Sequence, residues 1–405
     1  MKILVQKFGG TSVSSDDRRK SVVDKILKAK EEGFSTVVVV SAMGRKGQPY
    51  ATDTLLSLIK DEFKKNNALS VDLLMNCGEI ISTVVMSDAL YSKGINAIPL
   101  TGGQSGIITD DNYNDASVLR IEADKLMSII KEGKVPVVAG FQGISEKGFL
   151  TTLGRGGSDV TASLLGAALN AEEIQIYTDV DGIMTADPRI VSNAALIDEI
   201  NYSEVFEFAD QGAKVIHPRA VEIAMKANVP LVIKNTFSDC KGTIINASIN
   251  NTGNVITGIT SMDNRVQVLV ELHKNKDNKN YRILFNKLGG KLISIDLINV
   301  FPNQKIFTID KNFLCEFKEI MKDLGIVYSY VENCTKISVI GNRMRGIPGV
   351  MARILNALSR ENIEVLQTAD SHTTIWCLVE SSNTDKAINA LHDEFRLNGQ
   401  FIVKK

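Results

Sequence analysis

The stretch Ile3-Leu4-Val5-Gln6-Lys7-Phe8-Gly9-Gly10-Thr11-Ser12-Val13 sets a short apolar run against a glycine pair flanked by a lysine and two hydroxyls. Residues 3–5 read as a strand, and the residues after them as the turn that follows it. Glycines let backbone N–H groups approach an oxyanion closely, and the Lys7 ammonium can neutralise charge on phosphate oxygens. A tight strand-to-helix turn with a solvated lysine accounts for the same residues. Working outward, residues 36–40, 97–100, 135–139, 174–177 and 231–233 are further strand-length runs, most of them apolar throughout, as in strands covered on both faces. Helical patterns lie between them. In the first, Ser14 followed by Asp17 resembles a capping box, Val22, Val23, Ile26 and Leu27 share a face, and Gly33 ends the run. The alternation predicts an α/β domain with a mostly parallel sheet sandwiched by helices, whose ligands bind at the carboxyl ends of the strands.

Two more segments carry chemistry. A strand at 149–153 runs into Gly154-Arg155-Gly156-Gly157-Ser158-Asp159, and an apolar helical pattern follows at 160–168. Arg155 can hold a carboxylate or phosphate bidentately there, and three glycines in four positions suggest close backbone approach by a ligand rather than a plain helix cap. Residues 178–189, Thr-Asp-Val-Asp-Gly-Ile-Met-Thr-Ala-Asp-Pro-Arg, follow the strand at 174–177. Their acids can hold a ribose or a hydrated Mg²⁺ and Arg189 can reach phosphates, although Asp-Gly and Asp-Pro are equally common turn pairs. Neither GxxxxGK[ST] nor GxGxxG occurs. Two glycine-rich anion loops and an acidic loop together point to phosphoryl transfer, where positioning and charge neutralisation do most of the work.

Composition narrows the classes. The 405 residues suggest two or three domains, and 44% hydrophobic with 23% charged residues excludes a disordered chain. Lys plus Arg number 46 against 47 Asp plus Glu, a net charge of -1, so no excess positive charge is present for nucleic acid. Five scattered cysteines and four histidines form no metal-ligand spacing and fit reduced thiols in a cytoplasm. No secretory signal opens the chain, and no apolar run is expected to reach the roughly 20 residues of a membrane span. Around 238–257 the texture turns to Gly, Asn, Ser and Thr, which sets a domain at 1–240 and a linker at 241–257. Two weakly similar strand-helix-strand-strand-helix units follow, 258–334 and 335–405, read as an interleaved pair of α+β, ferredoxin-like modules. In them residues 266–272, 292–300, 305–309, 335–340, 363–367 and 374–379 read as strands. The run at 274–279 reads as a solvated loop, Trp376 as core, and His217 beside Pro218 as a structural residue.

Lys7-Phe8-Gly9-Gly10-Thr11-Ser12-Val13 resembles the aspartokinase signature of the amino-acid kinase superfamily. Val39-Val40-Ser41-Ala42-Met43-Gly44, Gly78-Glu79, residues 151–159 and Gly212-Ala213-Lys214-Val215-Ile216-His217-Pro218 agree with it in order, and the C-terminal modules resemble ACT regulatory domains. The resemblance implies that Lys7, Gly9 and Gly10 cradle ATP phosphates, and that Lys7, Asp159 and Lys214 form the catalytic set. Glu79 is implied to hold the α-ammonium of L-aspartate and Arg155 its α-carboxylate, with Thr52 and Ser158 completing the pocket. Thr52 follows a loop, 45–51, that is longer than in many relatives. Phe8, Thr178, Asp179, Met184, Arg189, Lys214 and Val215 match nucleotide-binding positions, Met184 standing where many relatives carry Tyr. ATP with Mg²⁺ is the implied cofactor set, with no metal held by protein ligands alone.

ACT pairs usually bind an amino acid and join subunits, so the resemblance also implies a homodimer, or a dimer of dimers, inhibited by lysine, with threonine as a second candidate. Asp296 resembles the acidic position that meets an effector amine, although 273–280 departs from the glycine turn kept at 346–349. Two other readings compete: a kinase of glutamate, N-acetylglutamate or UMP, and a non-enzymatic amino-acid sensor. Glu79 as an ammonium partner disfavours the N-acylated substrate. The sensor leaves Lys7, Arg155 and Asp179 without purpose.

Overall fold

The computed structural model describes residues 1–213, 215–248, 255–276, 279–342, 344 and 347–399. Lys214, assigned to catalysis and nucleotide binding above, and Gly346 lie outside the described residues. The chain forms two units, one of Met1–Ile183, Leu196–Ala209 and Lys214–Asn250, the other of Met184–Ala195, Asp210–Ala213 and Asn251–Lys405. Two stretches inside 1–240 therefore pack with the C-terminal unit. Part of the expected linker is instead the strand Thr243–Asn246 of the first unit's sheet.

That sheet has eight strands in the order Glu199–Asn201, Thr243–Asn246, Leu231–Asn235, Glu173–Thr178, Ile3–Phe8, Ser35–Val40, Val135–Ala139 and Ala97–Leu100. Only Leu231–Asn235 and Thr243–Asn246 pair antiparallel. Val37, Val38, Val39 and Val40 are all fully buried, which requires cover on both faces and explains the unbroken apolar run. The helix Asp16–Glu31 is capped by Ser15, whose Oγ accepts the Arg18 N–H at 3.4 Å, and not by Ser14 as the capping box suggested. Ser14 Oγ turns back to the Thr11 carbonyl at 3.0 Å. A second sheet in this unit, Val118–Ile121, Ile107–Thr109, Gln142–Ser145 and Leu150–Thr152, is mostly absent from the sequence reading. Strands of three or four residues holding Thr, Gln and Ser show no usable alternation.

The helix Ala68–Tyr91 corrects another expectation, because by length and composition it could cross a membrane. Half of its apolar window is buried inside the protein, and the buried side carries Asp72, Asn76, Glu79 and Ser82. Those polar groups mark it as the core helix of the first unit.

The second unit is one antiparallel sheet ordered Ile295–Phe301, Gln304–Asp310, Gly258–Glu271, Ser329–Ile340, Thr374–Glu380 and Gln367–Asp370. Interleaving is visible in the long strand Gly258–Glu271. Its Ile259 packs with Ile337, Ile354 and Leu391, whereas its Val266, Val268 and Val270 pack with Phe307, Phe317 and Met321. The strand expected at 292–300 starts later, because Ile293 N–H bonds the Leu288 carbonyl at 3.0 Å and closes the helix Leu284–Gly290. The expected 363–367 strand is Gln367–Asp370. The run at 274–279 read as a solvated loop, of which 277 and 278 lie outside the described residues, begins inside a short 3-10 helix, Leu272–Asn275, whose buried Asn275 binds both the Val327 N–H at 2.7 Å and its carbonyl at 2.8 Å. Trp376 is half-buried, and its indole N–H donates to Gln211 Oε1 at 3.0 Å.

Candidate active site

Loops at the carboxyl ends of Ile3–Phe8, Ser35–Val40, Glu173–Thr178 and Leu231–Asn235 are tied to one another. Gly44 N–H donates to the Gly10 carbonyl at 3.0 Å, Ser12 and Thr236 hydroxyls meet at 2.7 Å, and Thr236 N–H reaches the Thr178 carbonyl at 2.9 Å. A Cβ on Gly10 would stand 2.3 Å from the Ala42 carbonyl oxygen, so the two loops could not close with any other residue there. Lys7 projects from the end of its strand and forms an ion pair with Asp159 at 2.7 Å, both side chains being largely buried. The structure thus joins these two candidates. Phe8 differs: its ring stacks on Tyr177 at 4.7 Å inside the core, leaving only its backbone for a nucleotide.

The glycines at 154–157 have a reason the sequence did not show. Gly154 and Gly156 hold φ of 75° and 69°, and a Cβ at these positions would meet Asp115 Oδ1 at 2.5 Å and the His217 ring at 2.3 Å. A Cβ on Gly157 would meet Phe141 at 2.6 Å. Crowding within the protein therefore demands all three, correcting the inference that a ligand must. Arg155 beside them is exposed, with no ion pair among the described residues. Ser158 lies in the first turn of the helix Gly157–Ala168, packed on Gly140. His217 caps the helix Pro218–Ala227, its Nδ1 accepting the Arg219 N–H at 3.3 Å, and burial lowers its pKa. Both features suit the structural role expected of it.

Glu79 is the most unusual group here. It is buried, its Oε1 accepts the Ala42 N–H at 3.2 Å, and its Oε2 has no hydrogen-bond partner. Burial pushes its pKa up to about 8, against the smaller opposing effect of backbone hydrogen bonds. The neighbouring Gly78 lets the helix press on the next loops, since a Cβ there would lie 2.8 Å from the Ala42 Cβ and 2.9 Å from the Tyr50 carbonyl. Thr52, first residue of the short helix Thr52–Leu56, follows that Tyr50 loop. Sequence reading missed Asp72, two turns back on the same buried face of that helix. Its buried carboxylate accepts Asn114 N–H at 3.0 Å, Thr152 N–H at 2.9 Å and the Thr152 hydroxyl at 2.8 Å, fixing the strand that leads to Arg155. A lone Asp in an apolar helix, with partners 42 and 80 positions away, leaves no local signal.

On the 178–183 loop, Asp179 pairs with Arg45 at 2.9 Å, and Asp181 Oδ1 accepts from Asn235 at 2.8 Å and Ser238 at 2.9 Å. Thr178 on the same loop is half-buried, and Val215, elsewhere in the first unit, is half-buried too. An open cleft of about 580 Å³ is lined by Thr11, Ser14, Arg18, Arg45, Asp179 and Phe237, among others. Met184 and Arg189 belong to the second unit, where the Arg189 guanidinium grips Asp187 through Nε at 3.0 Å and holds that carboxyl below its usual range. Also in the second unit, Asp296 is already paired with the buried Lys336 ammonium, so an effector amine would have to displace that lysine. No cluster of three metal-ligating side chains occurs among the described residues.

A mostly parallel sheet with glycine-rich loops at its carboxyl ends, followed by an antiparallel sheet of the ACT type, defines an amino-acid kinase with C-terminal ACT modules. The amino acid kinase family model matches residues 2–235, and an ACT domain model matches 329–393. Aspartokinase 1 of Bacillus subtilis is 44% identical over 404 residues, covering 98% of this chain and all of that one. Aspartate kinase from Synechocystis is 33% identical, with a TM-score of 0.54 over 97% of this chain and 69% of that one. The fold is also that of E. coli aspartokinase III in complex with aspartate and ADP, at a TM-score of 0.78 and 24% identity over 98% of this chain and 100% of that one. The chain belongs to the aspartokinases, ATP-dependent phosphotransferases with a carboxylate acceptor.

Proposed function

We propose that this chain transfers the γ-phosphoryl group of ATP to the β-carboxylate of L-aspartate, giving 4-phospho-L-aspartate at the head of lysine, threonine and methionine biosynthesis in the cytoplasm. The observation that carries the reading is the unpartnered, buried Glu79 oxygen, which an α-ammonium would complete. Arg155, unpaired among the described residues, takes the α-carboxylate, with Thr52 and Ser158 beside it. The β-carboxylate is already anionic, so it attacks the γ-phosphorus without a general base while the bond to the ADP oxygen breaks. Repulsion between the two anions is the obstacle, and Lys7, oriented by Asp159, and Lys214 offset it. Gly9 and Gly10 admit the phosphates, and Phe8 (by its backbone), Thr178, Asp179 and Val215 hold the rest of the nucleotide. Mg²⁺ fits as an ion that arrives with the phosphates, since Mg²⁺ needs only one or two protein carboxylates; Asp179, whose pair with Arg45 is exposed, would hold it, and the ion would spread the developing charge.

Regulation follows the same reading: lysine, with threonine second, binds ACT modules that join two chains, or two such pairs, and favours the inactive state. A lysine-bound form of E. coli aspartokinase III has this fold. Purified protein with MgATP, L-aspartate and hydroxylamine should yield the hydroxamate of the acyl phosphate, with L-glutamate and N-acetylglutamate giving none. Millimolar lysine or threonine should then reduce the yield. Absence of product from aspartate would sink the reaction, and indifference to both amino acids would sink the regulation.

A further inference from the structure

Arg45 occupies a position that the reaction, as described, leaves unused. Its backbone is held against the glycine loop of the first strand. Gly44 N–H binds the Gly10 carbonyl at 3.0 Å, Arg45 N–H donates to Gln48 Oε1 at 2.7 Å, and Gln48 N–H returns to the Arg45 carbonyl at 2.9 Å. The Gln48 amide fills the space that a Cβ on Gly44, at φ 89°, would need. A closed turn thus carries the side chain to the cleft, and the exposed guanidinium crosses it to Asp179 at 2.9 Å.

We propose that Arg45 is a phosphate-binding residue of the nucleotide cleft and that Asp179 holds it in place until nucleotide arrives. The inference rests on the aspartate kinase reading above. An ion pair this exposed contributes little to the fold, so exchanging the carboxylate for a phosphate costs little. The other guanidinium in the cleft is committed elsewhere: Arg18 donates to the Thr11 carbonyl at 2.9 Å and lies 4.8 Å over the Phe237 ring. Lys7 is held by Asp159 in a largely buried pair, whereas the Arg45–Asp179 pair is exposed and opens at lower cost. Arg45 supplies a cation whose planar fork matches phosphate oxygens, and its departure frees Asp179 for the ribose or Mg²⁺.

The test compares wild type, Arg45→Ala and Arg45→Lys in the hydroxamate assay, with ADP and adenosine as competitive inhibitors. In Arg45→Ala the ATP KM and the ADP inhibition constant should rise by about tenfold to a hundredfold, the factor for a lost charge-assisted hydrogen bond. Adenosine inhibition, aspartate KM and Tm should stay within about twofold or a degree, and Arg45→Lys should recover part of the loss. Unchanged ADP and ATP values in Arg45→Ala would overturn the proposal, as would equal losses for adenosine and ADP. Failure of wild type to make hydroxamate would instead count against the aspartate kinase reading on which it rests.

Discussion

Replacing Glu79 by Gln removes a charge without changing shape, and the structure says what that should do to both stability and binding. In the empty protein the carboxyl pKa is pushed up to about 8 by burial, from 4.5 in the unfolded chain. Between those values the native state holds a proton that the unfolded state has lost. Native stability therefore falls as pH rises through that window, by about 1.4 kcal/mol per pH unit. From pH 6 to 7.5 the loss reaches about 2 kcal/mol, or about 4 to 8 °C in the transition of a domain of this size. Glu79→Gln has no such proton, so its Tm should gain on wild type across that interval, and every other titration cancels in the difference. Differential scanning fluorimetry without substrate reads this directly. Aspartate affinity moves the opposite way: the ammonium needs the carboxylate, so wild-type aspartate KM should fall as pH rises toward 8. In Glu79→Gln, aspartate KM should be about tenfold to a hundredfold higher with no comparable pH trend, and ATP KM should hold. Parallel Tm curves for the two proteins would refute the burial argument. An unchanged aspartate KM would refute the ammonium assignment.

Lys7→Ala should lower turnover by roughly a hundredfold or more in single-turnover hydroxamate formation while the fold survives; near wild-type turnover would remove Lys7 from the chemistry. Asp296→Asn leaves the buried Lys336 ammonium without its counter-charge, and should lower the stability of the second unit by about 1–2 kcal/mol, discounted because Asp296 itself is half exposed. Calorimetry decides it, and an unmoved transition would mean that the pair carries no stability.

The parallel sheet was legible because residues 37–40 and 135–139 are apolar on both faces, the pattern that double cover demands. The small sheet at 107–152 was not, since its strands are too short for periodicity to register. Chain order misled elsewhere. Residues 184–195 follow a strand of the first unit, yet Ala186 and Val191 join the core of the second, Thr185 bonds the buried His392 at 3.0 Å, and the Ile190 carbonyl accepts from Asn389 at 3.1 Å. A sequence reading that assumes contiguous domains assigns Met184 and Arg189 to the wrong body. The glycine loop at 154–157 misled differently: positive φ and crowding were legible as a need for glycine, but the crowding groups, Asp115 and His217, are distant in the chain.

Charges show the deepest limit of reading a sequence, because it supplies them without their partners. Lys7 holds Asp159, Arg45 holds Asp179, Arg189 holds Asp187 and Lys336 holds Asp296, so the groups assigned to ligands are already engaged with one another. Binding here is therefore an exchange of partners. On the proposed reading, a ligand charge at these four pairs displaces an internal one, and the net gain is smaller than a free arginine or lysine would suggest. The exchange has a compensating virtue: the internal pair keeps each long side chain oriented before the ligand arrives, which lowers the entropy lost on binding. Arg155 is different, exposed and without an ion pair among the described residues, at the start of a helix whose preceding glycines are locked by Asp115 and His217. Its backbone is fixed and its guanidinium is free. On the proposed reading, the substrate carboxylate orders that side chain itself and meets no ion-pair competitor among the described residues in doing so.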